Sequence, residues 1–377
     1  MFVPTVRRHG VSLPAGVQPF LLAFAGVAAV VVAWAVFTAS PVSNDTAYPA
    51  VPVVNAAEVR SVAYISPGDQ ADRLFVRRID DEGPGSLVAT FPGPFNIHAR
   101  GLASPLGDSV AVLSVSPSTL PFAKLTVVEL PSGATRESSE AFDYLSPIAW
   151  SGDGTRFAAR RSRPLDDAGR AAITVYEVLA GSAVTREVAD FASAFEVAPV
   201  GYSMDGERLF IVVVDQAGSA LWVERAGRVQ RLATLSPGRT RDWSLSPDGA
   251  RLAFIDILGA GERTYAGRSL VIATGGLVNE VAAGNQLGAA WFPGSHVPQF
   301  GGPGGSVQLS DQPPGAAYII PVQWSPDGST LVATIYSASS DREGSPLLSI
   351  ELVTPERRTR LSSEEGAAFL GWVRDLR

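Results

Sequence analysis

From about residue 60 onward, short apolar runs alternate with polar turns that are rich in glycine and proline. In the segment 242–255, the turn Ser246-Pro247-Asp248-Gly249 separates two such runs. Proline presets φ for a turn, and glycine accepts the positive φ that other residues resist. The pattern therefore predicts a strand, a tight turn and a second strand, and it recurs along the chain.

The turn is present in five copies. Each copy has a glycine, a serine three positions before it and an apolar residue three positions after it. Aspartate precedes the glycine in four copies, and Leu106 takes its place in the first. We interpret the serines and glycines as structural turn residues that join the first two strands of each repeat. They are Ser104 and Gly107, Ser151 and Gly154, Ser203 and Gly206, Ser246 and Gly249, and Ser325 and Gly328.

The spacing of the copies indicates the architecture. Successive glycines are 43 to 52 residues apart, apart from one interval of 79 residues. Periods in the forties built from strands are typical of β-propeller blades, which have four strands each. Six apolar hairpins are available for the outer halves of blades, so one inner turn is missing.

The two ends of the repeat region account for the missing turn. The first repeat starts directly with a second strand at 62–65, and the run 369–373 at the C-terminus has no repeat of its own. If the terminal strand completes the first blade, the ring closes and leaves no exposed sheet edge. We therefore predict an all-β fold, a six-bladed β-propeller closed by the C-terminal strand, with seven blades as the alternative.

The pattern Trp/Tyr-Ser-Pro-Asp-Gly-x-x-Leu/Val-Ala, the strand order and the terminal closure resemble the TolB-type six-bladed β-propellers, also called WD-like β-propeller repeats. The resemblance covers about residues 60–377. Gly152 and Met204 depart from it by replacing prolines. The resemblance implies the fold and a structural role for the turn residues, and it implies no catalytic residue.

The N-terminal region has a different composition. Residues 1–16 include Arg7 and Arg8 and no acidic residue, and residues 20–39 carry no charge. Twenty helical residues span about 30 Å, the thickness of a bilayer's hydrocarbon core. We predict a cytoplasmic tail at 1–16, a transmembrane helix acting as a signal anchor at 17–39, a linker at 40–59 and the propeller at 60–377.

The orientation follows from charge. Because positive residues stay on the cytoplasmic side, the N-terminus is expected inside and the propeller on the periplasmic or extracellular side of the cytoplasmic membrane. A cleaved signal peptide is the alternative. We favour the anchor because the apolar run is longer than the usual h-region of about 7 to 15 residues.

The repeat fails between residues 283 and 317, which accounts for the long interval. This glycine- and proline-rich insertion contains Trp291, Phe292, His296 and Phe300, which we take as a candidate interaction loop. The aromatic residues would alternatively fix the loop to the flank of the propeller, and we favour that role because buried aromatics mostly serve packing. A third interpretation is a degenerate seventh blade with its turn at 291–294.

The composition excludes several kinds of binding site and catalytic chemistry. Apolar residues make up 46 % of the chain and the net charge is −7, which supports a packed core and gives no sign of a nucleic-acid surface. There are no cysteines, so disulfides and thiolate chemistry are excluded. His98 and His296 are isolated, and we expect no metal site and no cofactor. The segment 201–205 lacks the last glycine of a nucleophile elbow and is not followed by a helical pattern.

These observations favour a non-enzymatic module: a propeller held outside the membrane that binds a protein partner in the envelope, as a scaffold or an accessory subunit. One alternative is recognition of a carbohydrate or another small ligand in the central funnel or beneath the 283–317 segment. Another is a metal-dependent hydrolase or lactonase-like enzyme. The fold by itself does not choose among them, because propellers carry many functions.

Overall fold

The structure is a computed structural model of the chain. It describes residues 58–376, with gaps at 94–96, 117–119, 131, 166–169, 260–263, 283–285, 303–315, 341–345, 363 and 365. The described residues form strands and turns and no α-helix, so none of them supplies a helix able to cross a membrane. The predicted tail, the transmembrane helix at 17–39 and the linker as far as residue 57 lie outside the described residues.

Twenty-six strands run through the described part of the chain. The first thirteen are β1 (Ser61–Ser66), β2 (Ala71–Arg78), β3 (Ser86–Pro92), β4 (Arg100–Ala103), β5 (Ser109–Ser114), β6 (Phe122–Glu129), β7 (Thr135–Asp143), β8 (Ala149–Trp150), β9 (Arg156–Pro164), β10 (Ala171–Leu179), β11 (Thr185–Ala194), β12 (Glu196–Tyr202) and β13 (Leu209–Asp215). The remainder are β14 (Gly218–Arg225), β15 (Arg228–Ser236), β16 (Thr240–Leu245), β17 (Arg251–Leu258), β18 (Thr264–Val271), β19 (Gly276–Ala282), β20 (Leu287–Trp291), β21 (Pro298–Gly301), β22 (Ala316–Trp324), β23 (Leu331–Ser340), β24 (Pro346–Val353), β25 (Arg358–Arg360) and β26 (Ala368–Val373).

In the described residues these strands form six four-stranded antiparallel sheets, which are the blades of a six-bladed propeller. From the inner strand outward, blade 1 is β26-β1-β2-β3, blade 2 is β4 to β7, blade 3 is β8 to β11, blade 4 is β12 to β15, blade 5 is β16 to β19 and blade 6 is β22 to β25. The all-β fold and the six blades predicted from the sequence are confirmed.

Blade 1 joins the two ends of the repeat region. Strand β26 pairs antiparallel with β1, with Val62 opposite Trp372. The backbone N–H of Arg374 then donates to the carbonyl of Gly107 in blade 2 at 2.9 Å. Because blade 1 takes its inner strand from the C-terminus, it needs no serine–glycine turn, and five turns serve six blades.

The two strands β20 and β21 form a separate two-stranded sheet, which we call the half-blade (287–301). It lies between blades 5 and 6, where β20 contacts both β16 of blade 5 and β22 of blade 6. Gly288 and Gly301 allow close contact with blade 6, since a Cβ on Gly301 would come within 2.1 Å of the Ile319 carbonyl oxygen. The half-blade thus occupies the position of the inner half of a blade.

The core lies between neighbouring blades. The cluster between blades 2 and 3, for example, buries Leu113, Leu125 and Phe142 against Trp150 and Phe157. The second strand of each blade is covered on both faces, so strands such as β5 are continuous runs of buried residues. This explains why second strands such as β5 are largely apolar, whereas outer strands such as β15 mix polar and apolar residues.

The two ends of the propeller carry different loops. The turn face carries the five serine–glycine turns, and the upper rim is the opposite end, where the inner strands begin at residues such as Arg100, Glu196 and Thr240. The described chain starts beside the turn face: Ser61 is paired with Val373, next to the contact between Arg374 and Gly107.

Candidate functional site

The predicted turn residues form one repeated geometry. In each turn the glycine N–H donates to the serine carbonyl at 2.8 to 2.9 Å, and the glycine has a positive φ of 66° to 73°. The serine hydroxyl donates to an aspartate carboxylate, as Ser151 does to Asp153 at 2.6 Å. That carboxylate also accepts a backbone N–H two residues further on, from Thr155 at 3.1 Å. The serine hydroxyl, the aspartate carboxylate and the glycine N–H are thus all hydrogen-bonded within the turn.

The first copy shows how the missing aspartate is replaced. Leu106 occupies the usual position, and Asp108, which follows the glycine, accepts the hydroxyl of Ser104 at 2.7 Å. The side chain of Leu106 lies against Gly154 of the next turn, where a Cβ on that glycine would come within 3.2 Å of Leu106 Cγ. The turns are therefore packed and hydrogen-bonded, which agrees with a structural role.

The electrostatics of the turns follow from these bonds. Burial raises the pKa of each aspartate, but the hydrogen bonds from the serine hydroxyl and the backbone outweigh burial. The pKa of the carboxyl therefore lies below its usual range at Asp153, Asp205, Asp248 and Asp327. The ionised carboxylates help to hold the turns in place.

The four residues of the predicted interaction loop separate into two pairs. Trp291 and Phe300 are buried in the half-blade against Ala253 and Ile255 of blade 5. Phe292 is 40 % exposed and packs edge-on against Trp324 of blade 6, with ring centroids 5.1 Å apart.

His296 belongs with Phe292 at the turn face. Its side chain is 69 % exposed, and its Nδ1 is 3.9 Å from the Asp248 carboxylate. The structure therefore places two of the four residues in the core and leaves two at the turn face.

The described residues contain no group of three or more His, Cys, Asp or Glu side chains arranged to hold a metal ion. One groove, of about 540 Å³, lies between blades 2 and 3 and is lined by Glu129, Arg136 and Thr155 among others. Its charged groups are paired with each other, since Arg136 Nη2 lies 2.7 Å from Glu129 Oε1. The groove presents neither a nucleophile–base pair nor an aromatic platform.

A connected polar group lies at the upper rim, which we call the rim cluster (Asp72, His98, Arg100 and Tyr144). The buried carboxylate of Asp72 bonds His98 Nδ1 at 3.0 Å and accepts the backbone N–H of Ala99 at 2.5 Å. Tyr144 donates its hydroxyl to the His98 carbonyl at 2.7 Å. Arg100 in turn donates from Nε to the Tyr144 hydroxyl at 3.2 Å and lies over the tyrosine ring.

Sequence reasoning gives His98 no such role and misses the other three residues of the cluster. No local signal marks Asp72, which lies between Ala71 and Arg73 in a polar stretch of the sequence. Asp72 is fully buried, so its carboxylate needs partners, and the loop that begins blade 2 supplies them. The bond to Nδ1 fixes the orientation of the imidazole and leaves Nε2 as the outward nitrogen.

No protein-family model matches the chain, and a search of curated proteins gives no match. Solved structures are similar in fold. TolB from Acinetobacter baumannii is 16 % identical with a TM-score of 0.49, over 82 % of this chain and 66 % of that one. Oligogalacturonate lyase from Vibrio parahaemolyticus is 13 % identical with a TM-score of 0.56, over 79 % and 87 %.

A third similar structure is an acylaminoacyl peptidase from Pyrococcus horikoshii, 11 % identical with a TM-score of 0.53. The match covers 81 % of this chain and 51 % of the peptidase, so the chain spans about half the length of that protein. At these identities the similarities show the fold alone. The chain is a six-bladed β-propeller with an added half-blade.

Proposed function

We propose that this protein is a membrane-anchored, extracytoplasmic β-propeller that binds a protein partner, as a scaffold or an accessory subunit of an envelope assembly. The observation that carries the proposal is a group of exposed side chains at the upper rim: Leu120, Leu145 and Leu165 are 50 %, 59 % and 46 % exposed, and Arg100 is exposed as well. Large apolar side chains grouped at a surface are a usual mark of a protein interface. We also propose that the protein is not an enzyme.

The described chain begins beside the turn face, where Ser61 pairs with Val373, and the upper rim is the opposite end of the propeller. The localisation in the cytoplasmic membrane, with the N-terminus inside, rests on the charges and the apolar run of residues 1–39.

Carbohydrate recognition beneath the insertion loses two of the aromatic residues on which it depends. Sugar recognition by stacking needs exposed aromatic faces, and Trp291 and Phe300 are 7 % and 0 % exposed. Phe292 is 40 % exposed, but its ring packs edge-on against Trp324. We therefore rank protein binding above ligand binding under the insertion.

The test is quantitative co-purification. The full-length protein is extracted from its native membrane in mild detergent, alongside a fragment that lacks residues 1–57. We expect a partner in a fixed ratio to the full-length protein, and loss or reduction of that partner when the anchor is removed. Recovery of the full-length protein alone, under conditions that keep other envelope complexes intact, contradicts the proposal.

A further inference from the structure

Three arginines at the upper rim lie over aromatic rings, each across a junction between blades. The distance from guanidinium carbon to ring centroid is 5.3 Å for Arg100 over Tyr144, 5.2 Å for Arg161 over Phe122 and 4.8 Å for Arg239 over Phe195. Stacking holds a guanidinium in one plane and directs its N–H donors outward along the ring edge. The rim therefore presents prepositioned donors for planar anions.

Two of these arginines have no acidic partner among the residues that the structure describes. Arg161 pairs with Glu140 at 3.3 Å, but in the described part of the chain no carboxylate lies within ion-pair distance of Arg100 or Arg239. Both have exposed side chains in a protein whose net charge is −7. Unpaired arginine positions on an acidic protein are complementary to carboxylates on a partner.

Three exposed leucines lie near the stacks of Arg100 and Arg161, at the junction of blades 2 and 3. Leu120, Leu145 and Leu165 are 50 %, 59 % and 46 % exposed. They leave the same point of the structure, because Asp143 is paired with Phe122 and accepts the N–H and hydroxyl of Ser162 at 2.8 and 2.6 Å. Leu120 is two residues from Phe122, Leu145 is two residues from Asp143, and Leu165 is three residues from Ser162. We call Leu120, Leu145 and Leu165 the leucine patch.

We propose that the leucine patch and the stacked arginine Arg100 form the docking surface for an acidic segment of a protein partner that also carries apolar side chains. The proposal rests on the protein-binding function and gives it a location and a partner chemistry. The partner's apolar side chains pack on the leucines, and its carboxylates accept hydrogen bonds from Arg100. A protein segment is favoured over an anionic bilayer because the net charge of −7 opposes approach to a densely anionic surface.

Leu165 contributes only to the apolar part of the surface. The carboxylate contacts are assigned to Arg100, which begins the inner strand of blade 2.

The test uses the full-length protein in detergent and a labelled twelve-residue peptide of Asp, Glu and Leu, read by fluorescence anisotropy. Control peptides replace the acids by Lys or the leucines by Ser. We expect binding of the first peptide only. We also expect it to weaken about tenfold or more in each of Leu145→Asp and Arg100→Glu, and with added salt.

Leu87→Asp and Arg228→Glu are matched control variants, because both residues are exposed and lie on outer strands away from the rim. Equal weakening in these controls, binding of the Lys peptide, or no binding of the acidic peptide overturns the proposal. The proposal is also overturned, in favour of a membrane-binding surface, by a different result. In that result the wild type binds phosphatidylglycerol vesicles but not the peptide, and the rim variants lose vesicle binding.

Co-purification separates the two levels of the account. If a partner co-purifies with the wild type and equally with Leu145→Asp and Arg100→Glu, the rim surface is overturned and the protein-binding function stands. The absence of any partner from the wild type contradicts the protein-binding function itself.

Discussion

Trp291 donates its indole N–H to the backbone carbonyl of Ser244 at 3.1 Å, across the junction between the half-blade and blade 5. Trp150 makes the same bond to the carbonyl of Leu102 at 3.0 Å, from blade 3 to blade 2. The two tryptophans also occupy the same position, at the end of an inner strand. The half-blade is thus built into the ring by the contact that joins ordinary blades.

Replacement of Trp291 is expected to destabilise the propeller. Trp291→Ala removes a buried ring and its hydrogen bond, which we expect to lower the free energy of unfolding by about 3–5 kcal/mol. Trp291→Phe keeps most of the packing and should cost less. Phe292→Ala, at a half-exposed neighbour, is the control, and urea unfolding is the measurement. A cost for Trp291→Ala no larger than that of the control shows that the half-blade is not part of the ring.

The closure of blade 1 gives a second prediction. Leu370 on β26 is 1 % exposed and packs in the cluster between blades 1 and 2, whereas Leu87 on β3 is 56 % exposed. We expect Leu370→Ala to lower the free energy of unfolding by about 2–5 kcal/mol, and the same substitution at Leu87 to change it by about 0.5 kcal/mol at most. Similar values for the two variants contradict the closure by the C-terminal strand.

The turn aspartates predict acid sensitivity. Their pKa is lowered in the folded protein, so each ionised carboxylate adds stability above the ordinary aspartate pKa of about 3.9. That contribution is lost as the pH falls from about 5 through the lowered folded-state pKa.

Substitution tests this assignment. We expect Asp153→Asn and Asp248→Asn to flatten the decline of the unfolding free energy below about pH 5, measured by urea unfolding between pH 3 and pH 7. Ser246→Ala, which removes the hydroxyl donor but keeps the charge, should have a smaller effect alone and almost none in combination with Asp248→Asn. An unchanged acid limb in Asp153→Asn and Asp248→Asn contradicts the assignment.

The rim cluster depends on a buried acceptor. Asp72→Ala leaves His98 Nδ1 and the Ala99 N–H without their partner, and we expect a loss of about 2–4 kcal/mol of unfolding free energy. Asp72→Asn keeps one acceptor oxygen and should cost less. Thermal unfolding of the wild type and the two variants measures the order of their stabilities. A smaller loss of stability for Asp72→Ala than for Asp72→Asn contradicts this account of the cluster.

The sequence predicts the propeller because its turns are local. Residues such as Gly154 and Gly328 need a positive φ inside a four-residue hairpin turn, so the signal is complete within each copy. The count of blades is also readable, because the strand without a repeat at the C-terminus fits the blade without a first strand.

The half-blade is harder to recognise because its turn has lost the local signal. Phe292 takes the position of the serine, and the carbonyl of Phe292 accepts the N–H of Ser295 at 2.9 Å where the other turns use glycine. Trp291, however, still donates its indole N–H to the neighbouring blade, as Trp150 does. The 79-residue interval marks the place, but the sequence alone leaves packing, binding and a degenerate blade as alternatives.

The upper rim is the part that the sequence does not predict. Arg239 lies over Phe195 only because blades 4 and 5 are neighbours, and Arg100 meets Tyr144 for the same reason in blades 2 and 3. The leucines do leave a trace, since Leu120 and Leu165 each adjoin a proline in a polar loop. A large apolar residue in such a loop is a signal for an exposed contact.

Site-directed photocrosslinking in intact cells tests the central claim most directly. A photoreactive phenylalanine is placed in the full-length protein at Leu145 on the upper rim or at Met204, 51 % exposed on the turn face. We predict that Leu145 captures one protein in high yield, that Met204 captures little, and that Arg100→Glu reduces the yield at Leu145. Capture from Met204 alone, or from neither position, contradicts the account of a propeller that binds its partner through the upper rim.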